Sequence, residues 1–130
     1  MITADIDVQP LLTDSVDLSV LESFDDPDMG GEPDLVIELI DLYQEEATRL
    51  VEAIRTGMQN NDWTAVKRAA HSLRGSSGNL GILQVAVISD DLEHKQFTDV
   101  TAAEPLFQSL EQELIRVNAI LEQERNRRLA

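Results

Sequence analysis

The chain has 130 residues, a mass of 14.5 kDa and a formal net charge of -15, and it contains no cysteine. This length predicts one domain with a single core, and the lack of cysteine excludes disulfides, thiolate metal sites and cysteine nucleophiles. Nucleic acid and anionic membrane surfaces are unfavourable partners for so acidic a protein, because both carry negative phosphates.

The N-terminal part of the chain is its most acidic part. Residues 1–34 contain ten acidic residues and no lysine or arginine, which we interpret as a solvated surface. The first residues lack the basic flank and apolar run of a signal peptide. No stretch approaches the roughly 20 apolar residues that span a membrane. We therefore expect a soluble, cytoplasmic protein with an acidic, flexible tail over residues 1–16.

Helical periodicity begins after this tail. A short helix is predicted over residues 17–24, and a loop rich in turn formers follows over residues 25–31. Pro33 suits the first turn of a long helix over residues 33–58, because a first-turn residue needs no N–H donor. The apolar residues of this helix recur at spacings of three and four and form one stripe: Val36, Leu39, Ile40, Tyr43, Ala47, Leu50, Val51 and Ile54.

Two features predict the end of this helix and the start of the next. Gly57 and the pair Asn60-Asn61 are expected to end the first long helix. Asn61 or Asp62 can cap a second one over residues 62–79, and Gly81 is expected to close it.

The remaining chain predicts two further helices. One extends over residues 82–96, and the last opens with Thr101-Ala102-Ala103-Glu104, which matches a capping box and leaves Pro105 in the first turn. Four long amphipathic helices with short connections predict an all-α fold, an antiparallel up-down-up-down four-helix bundle over residues 17–128. The short extra N-terminal helix is expected to cover one end.

The segment that carries chemical information lies in the second long helix, between Lys67 and Gly81. At 3.6 residues per turn, five residues fall within about 60° of His71 on the helical wheel: Lys67, Arg68, Arg74, Gly75 and Gly78. The opposite side is apolar: Val66, Ala69, Leu73 and Leu80. We therefore expect His71 to face solvent in mid-helix.

Gly75 and Gly78 are unusual for a helix, because glycine costs about 1 kcal/mol relative to alanine there. Side chains in a helix lean toward its N-terminus, so a large residue at position 75 would cover the imidazole of His71. We interpret both glycines as giving access to the ring. The alternative is that they only loosen the end of the helix.

Lys67, Arg68 and Arg74 are surface neighbours of His71 and form a basic cluster in an acidic chain. Such a cluster can stabilise a phosphoryl group on the imidazole, although exposed basic residues are also common on helices. The imidazole of histidine is a good nucleophile at neutral pH, since its usual pKa is about 6.5, and it can form a covalent phosphoramidate.

The run Ala70-His71-Ser72-Leu73-Arg74-Gly75-Ser76-Ser77, continued by Asn79-Leu80-Gly81 and by Asp91-Leu92-Glu93, resembles the signature of the histidine-containing phosphotransfer (HPt) family. That signature is commonly AHxLKGSSxxLG with a downstream LE. The resemblance extends from about Val16 to the last helix. One departure is Arg74, where the family often has lysine, so the charge is kept but its geometry changes.

The resemblance implies a four-helix bundle with His71 as phosphoacceptor in a multistep phosphorelay. The implied partners are response-regulator receiver domains, a hybrid histidine kinase, or both, and we expect a monomer that binds neither nucleic acid nor membrane. The chain is expected to be a relay intermediate and not an enzyme, to need no cofactor of its own, and to rely on Mg²⁺ supplied by the receiver.

Other readings of the sequence remain. A bundle that binds receiver-like partners without phosphotransfer is the main alternative, and the presence of His71 argues against it. No catalytic triad or Gly-rich nucleotide loop indicates an independent enzyme. His94 is interpreted as a cation near a helix C-terminus. No metal site is expected, because no ligand spacing such as HExxH occurs.

Overall fold

The computed structural model describes residues 15–25 and 33–130. Within these ranges there is no strand. The helices are α1 (Leu18–Glu22), which a 3₁₀ turn over Ser23–Asp25 extends, α2 (Pro33–Gln59), α3 (Trp63–Asn79), α4 (Leu83–His94) and α5 (Val100–Leu129). The predicted all-α class is confirmed. None of the described helices is long and apolar enough to cross a lipid bilayer.

The four long helices pack in a ring, in which α2 and α4 each contact both α3 and α5. Every long helix turns an apolar stripe toward the others, which removes those side chains from water. All four contribute fully buried side chains, among them Ile40, Ile54, Leu73, Leu92, Leu110 and Leu121. Each contributes roughly 1.5–3 kcal/mol by its burial. This packing fixes the rotation of α3 and therefore the direction of its polar face.

Gly81 ends α3, as predicted. Its φ is +75°, and the N–H of Ile82 donates to the carbonyl of Ser77 at 2.9 Å, which closes the helix end. The carbonyl of Gly81 accepts the N–H of Asp17 at 2.7 Å. A Cβ at position 81 would lie 2.9 Å from the Cβ of Val20. The short helix α1 is therefore packed tightly on the end of α3, where one end of the bundle was expected to be covered.

The connection between α2 and α3 differs from the prediction at Gly57. Helix α2 continues to Gln59, so Gly57 lies inside it and does not end it. A Cβ at this position would lie 2.8 Å from Cγ2 of Val66, so glycine here allows α3 to approach closely. Asp62 caps α3, as predicted, by accepting the N–H of Ala65 at 3.1 Å.

The predicted start of α5 is wrong. The N-cap is Asp99, whose side chain accepts the N–H of Ala102 at 3.0 Å, and not Thr101 of the capping box Thr101–Glu104. Asp99 is itself a strong N-cap residue two positions earlier in the chain. Pro105 consequently lies inside the helix, beyond its first turn. It leaves the carbonyl of Thr101, an exposed residue, without its intrahelical donor.

Helix α4 is shorter than the predicted span of residues 82–96. It ends at His94, and Lys95 is extended with a ψ of 147°. Beyond it, the ring of Phe97 stacks on that of Trp63 with 5.8 Å between the ring centroids. This contact ties the end of α4 to the start of α3.

Two predicted segments fall largely outside the described residues. Of the expected tail over residues 1–16, only Ser15 and Val16 are described, and both are buried. Of the expected loop over residues 25–31, only Asp25 is described, as the last residue of the 3₁₀ turn.

Candidate functional site

Helix α3 has one buried and one exposed face. The buried face contains Val66, Ala69, Ala70, Leu73 and Ser77. The hydroxyl of Tyr43 in α2 pairs with that of Ser77 in the core and joins the two helices at this point. On the opposite face, His71 exposes 60% of its side-chain surface. The expected exposure of His71 is confirmed.

A carboxylate of α4 holds one ring nitrogen of His71. The Nδ1 atom of His71 lies 2.7 Å from Oε2 of Glu93. An ionised carboxylate has no hydrogen to donate, so Nδ1 carries the hydrogen and donates a hydrogen bond to Glu93. The neutral ring then has its lone pair on Nε2.

The environment keeps the carboxyl of Glu93 ionised. Burial acts to raise the pKa of this carboxyl. The hydrogen bond from His71 and the charges of His71, His94 and Arg74 outweigh burial and lower the pKa below its usual range. Glu93 is therefore a carboxylate at neutral pH, as the assignment of the Nδ1 proton requires.

Arg74 is engaged by acidic residues of α4. Its Nε lies 3.2 Å from Oε1 of Glu93 and 3.7 Å from Oδ1 of Asp90, and its Nη2 lies 3.3 Å from Nδ1 of His71. Because Nδ1 already donates to Glu93, the last approach is an electrostatic contact and not a hydrogen bond. Arg74 thus lies on the Nδ1 side of the ring. Its predicted role toward a phosphoryl group stays a prediction.

Lys67 and Arg68 differ from Arg74 in having no ion-pair partner among the residues that the structure describes. Lys67 is partly exposed and Arg68 is exposed. The basic cluster therefore divides into one residue that is held within the site and two that are available to a partner. Their docking role stays a prediction.

Gly75 and Gly78 leave open space beside His71. No heavy atom from outside the local helix backbone lies within 4 Å of a Cβ placed at either position. With His71 they line a groove whose other wall is formed by α4, including Ala86, Val87 and Asp90. Val87 is 55% exposed. The predicted space next to the imidazole is present, and one of its edges is apolar.

A second groove lies on the α2 side of α3. It is lined by Leu39, Leu42, Glu46 and Ser76, and it shares Asn79 with the first groove. The hydroxyl of Ser76 donates to the carboxylate of Glu46. Leu42 is 63% exposed. Exposed apolar side chains from α2 and from α4 therefore border the two grooves along α3.

His94 is the last residue of α4, at the helix C-terminus, as expected from the sequence. Asp90, Glu93 and His94 each place one ligand atom within 4.8 Å of the others, and these are the residues that would offer donors to a metal. All three already have protein partners: His94 Nδ1 lies 3.1 Å from Oδ1 of Asp90, and Glu93 binds His71 and Arg74. The expectation of no metal site stays a prediction.

Asp90 and the role of Glu93 were not found from the sequence. In the sequence, Glu93 belongs to the run that carries the resemblance, and no pattern singles out Asp90. The available signal is that Asp90 and Glu93 are one turn apart and so share a face of α4. Which neighbouring helix that face meets depends on tertiary packing.

Residues 38–123 match the family model of the Hpt domain. This match covers most of the chain, includes His71 and extends from α2 to α5, so the chain belongs to the Hpt domain family. Hpt domain proteins are phosphotransfer intermediates that interact with receiver domains and kinases in phosphorelays. The family therefore supports a histidine phosphotransfer role for this chain.

One solved structure shows the same fold. The histidine-containing phosphotransfer protein B (HptB) from Pseudomonas aeruginosa PAO1 is similar to this chain with a TM-score of 0.73, at 24% sequence identity. The similarity covers 87% of this chain and 96% of that one. A search of curated proteins found no match.

Proposed function

We propose that His71 accepts a phosphoryl group from the aspartyl phosphate of one receiver domain and passes it to the aspartate of another. The observation that carries this proposal is the state of the imidazole. It is exposed on α3, its Nδ1 is held by Glu93 at 2.7 Å, and Nε2 is left as the nucleophile. Open space at Gly75 gives a partner room to reach the ring.

The transfer step follows from this arrangement. The Nε2 lone pair attacks phosphorus, the acyl phosphate P–O bond breaks, and its electron pair leaves with the donor carboxylate. The phosphorylated ring then carries a positive charge with hydrogen still on Nδ1. The Glu93 carboxylate accepts that hydrogen bond and neutralises the charge. Transfer to the next aspartate reverses these steps.

We propose that the receiver supplies the remaining groups. It brings the aspartate and the Mg²⁺ that neutralises charge on the moving phosphoryl group. The Hpt chain contributes the nucleophile and its orientation. Incubation of the chain alone with ATP and Mg²⁺ is therefore expected to give no phosphorylated product.

We propose that the receiver docks over the glycine face of α3. Lys67 and Arg68 have no acidic partner among the described residues and can meet the negative charge of an acidic pocket. Leu42 and Val87, which are 63% and 55% exposed, supply apolar contact area on either side. Basic side chains that can attract an acidic partner and apolar side chains that can pack against it thus both lie close to His71.

The arrangement of the helices supports this placement. Short connections between successive long helices, together with the ring of contacts among α2, α3, α4 and α5, favour an antiparallel up-down-up-down bundle. In that arrangement the exposed face of α3 is open to a receiver, and the chain acts as a monomer.

The test is transfer from a phosphorylated receiver, followed by intact-mass measurement. The wild-type chain is expected to gain one acid-labile, base-stable phosphoryl group, and His71→Gln none. His94→Gln is the matched control, because His94 is the other of the chain's two histidines. Label that persists in His71→Gln, or disappears only in His94→Gln, would contradict the assignment.

A further inference from the structure

Asp90 lies at the far end of a line of contacts that starts at the phosphoacceptor. Nδ1 of His71 is 2.7 Å from Oε2 of Glu93. The other oxygen of Glu93, Oε1, is 3.2 Å from Nε of Arg74, and the same Nε is 3.7 Å from Oδ1 of Asp90. The line alternates in charge from Glu93 to Asp90 and connects α3 to α4 through Arg74.

These contacts indicate a role for Asp90. Asp90 and Glu93 are three residues apart on α4, where two carboxylates repel each other. The guanidinium of Arg74 between them removes that repulsion and is drawn toward α4 by both charges. Arg74 then occupies Oε1 of Glu93, so Oε2 remains for His71. In the structure 40% of the Arg74 side chain is exposed to water. Loss of Asp90 would leave this exposed side chain with one acidic partner fewer on α4.

The type of cation matters for the same reason. A guanidinium is a rigid fork that presents several N–H groups in fixed directions, whereas a lysine ammonium is one point charge. Nε of Arg74 faces both carboxylates while its Nη2 lies 3.3 Å from the imidazole. A lysine ammonium on its flexible stem lacks the planar group that fixes the direction of Nε toward the two carboxylates.

We propose that Asp90 is a positioning residue for phosphotransfer. It anchors Arg74, and through Arg74 it fixes the Glu93 carboxylate in the orientation that accepts the hydrogen bond from Nδ1 of His71. The proposal rests on the proposed function of His71. Its effect is on the tautomer and orientation of the ring, because the hydrogen bond at one nitrogen determines which nitrogen carries the lone pair. Asp90 acts only through its neighbours.

The test compares Asp90→Asn with Asp91→Asn. Both changes remove one negative charge from the C-terminal half of α4, and the side chain of Asp91 makes no ion pair or hydrogen bond in the described part of the chain. Asp90→Asn is expected to slow phosphotransfer by about two- to fivefold, the size expected for a half-exposed ion pair. Asp91→Asn is expected to transfer at the wild-type rate. Equal rates in the two variants would overturn the proposal.

Two further measurements separate positioning from a general effect of charge. If Asp90 acts through Arg74, the double variant Arg74→Gln, Asp90→Asn transfers at the same rate as Arg74→Gln alone. Arg74→Lys, which keeps the charge and loses the fork, is expected to be intermediate between wild type and Arg74→Gln. A further loss of rate on adding Asp90→Asn to Arg74→Gln would contradict action through Arg74.

Nitrogen NMR of the histidine rings gives a reading that does not depend on phosphotransfer. His71 is assigned by its absence from the spectrum of His71→Gln. The fraction of neutral His71 with hydrogen on Nδ1 is expected to fall in Asp90→Asn and to stay unchanged in Asp91→Asn. An unchanged fraction in Asp90→Asn would overturn the positioning role. If the wild-type chain accepted no phosphoryl group, the proposed function would fail while this reading still tested Asp90.

Discussion

The hydroxyl oxygen of Tyr43 in α2 lies 2.8 Å from that of Ser77 in α3, inside the core and on the side of α3 opposite to His71. Burial raises the pKa of Tyr43 well above its ordinary value near 10, the hydrogen bond with Ser77 acts in the opposite direction, and the charge of Glu46 adds to the increase. The folded protein therefore binds this phenolic proton more tightly than the unfolded chain does.

This pKa shift predicts how stability depends on alkaline pH. A raised pKa contributes stability that is fully present below the unfolded value near 10 and is lost as pH rises above it. Tyr43 is the single tyrosine of the chain, so tyrosinate absorbance reports this residue alone. We expect the absorbance to rise together with the loss of helical circular dichroism. Ionisation at pH 10 in a fully helical protein would contradict the prediction.

Removal of the Tyr43 hydroxyl is expected to destabilise the bundle. Tyr43→Phe loses a buried hydrogen bond and leaves the hydroxyl of Ser77 without its partner, at a cost of about 1–3 kcal/mol. The double variant Tyr43→Phe, Ser77→Ala is expected to lose less than the sum of the single changes, because no polar group then stays unsatisfied. Denaturant unfolding of the four proteins measures this, and strict additivity would argue against the bond.

Glu93→Gln is expected to slow phosphotransfer on the order of tenfold, the lower end of the effect of removing the hydrogen-bond partner of a metal-binding histidine. The amide keeps the size of the side chain, but it has no charge to balance the phosphorylated ring. Glu104→Gln is the matched control, because Glu104 is exposed on α5, which packs against α2 and α4. Single-turnover transfer from a receiver is the measurement. Equal rates for the two variants would show that Glu93 has no role.

Substitutions at Gly75 are expected to raise stability and lower transfer together. Nothing lies within 4 Å of a Cβ at this position, so alanine fits there, and either alanine or leucine removes most of the helix penalty of glycine, about 1 kcal/mol. Transfer is expected to fall only slightly in Gly75→Ala and strongly in Gly75→Leu, since the larger side chain leans toward the ring. Thermal unfolding and transfer rates check both trends. An unchanged rate in a stably folded Gly75→Leu would show that the space is not functional.

Neutralisation of Lys67 or Arg68 is expected to slow transfer at low salt and to matter less at high salt, because salt screens charges over about 8 Å at physiological ionic strength. The control is Arg116→Gln on α5. Arg116 pairs with the buried Glu113, so the free energy of unfolding of each variant is measured beside its transfer rate. Equal losses in Lys67→Gln and Arg116→Gln would place the docking face elsewhere.

The sequence predicted the helices and the exposure of His71 because both follow from a strong 3.6-residue periodicity and need no knowledge of neighbouring elements. It did not locate the N-terminus of α5, since Asp99 and Thr101 are both good N-caps and lie two residues apart. It did not predict the contact of His71 with Glu93, 22 residues further along the chain. That contact depends on how α4 is rotated and shifted against α3, which the packing of side chains such as Leu73 and Leu92 decides.

The two faces of α3 have consequences for how such proteins diverge. Ala70, Leu73 and Ser77 face the core, whereas a Cβ placed at Gly75 or Gly78 would meet open space. Changes on the outer face, where we propose that the receiver docks, can therefore accumulate while the inner face preserves the bundle. After gene duplication, two copies can acquire separate partners and avoid cross-talk without first having to restore a damaged core.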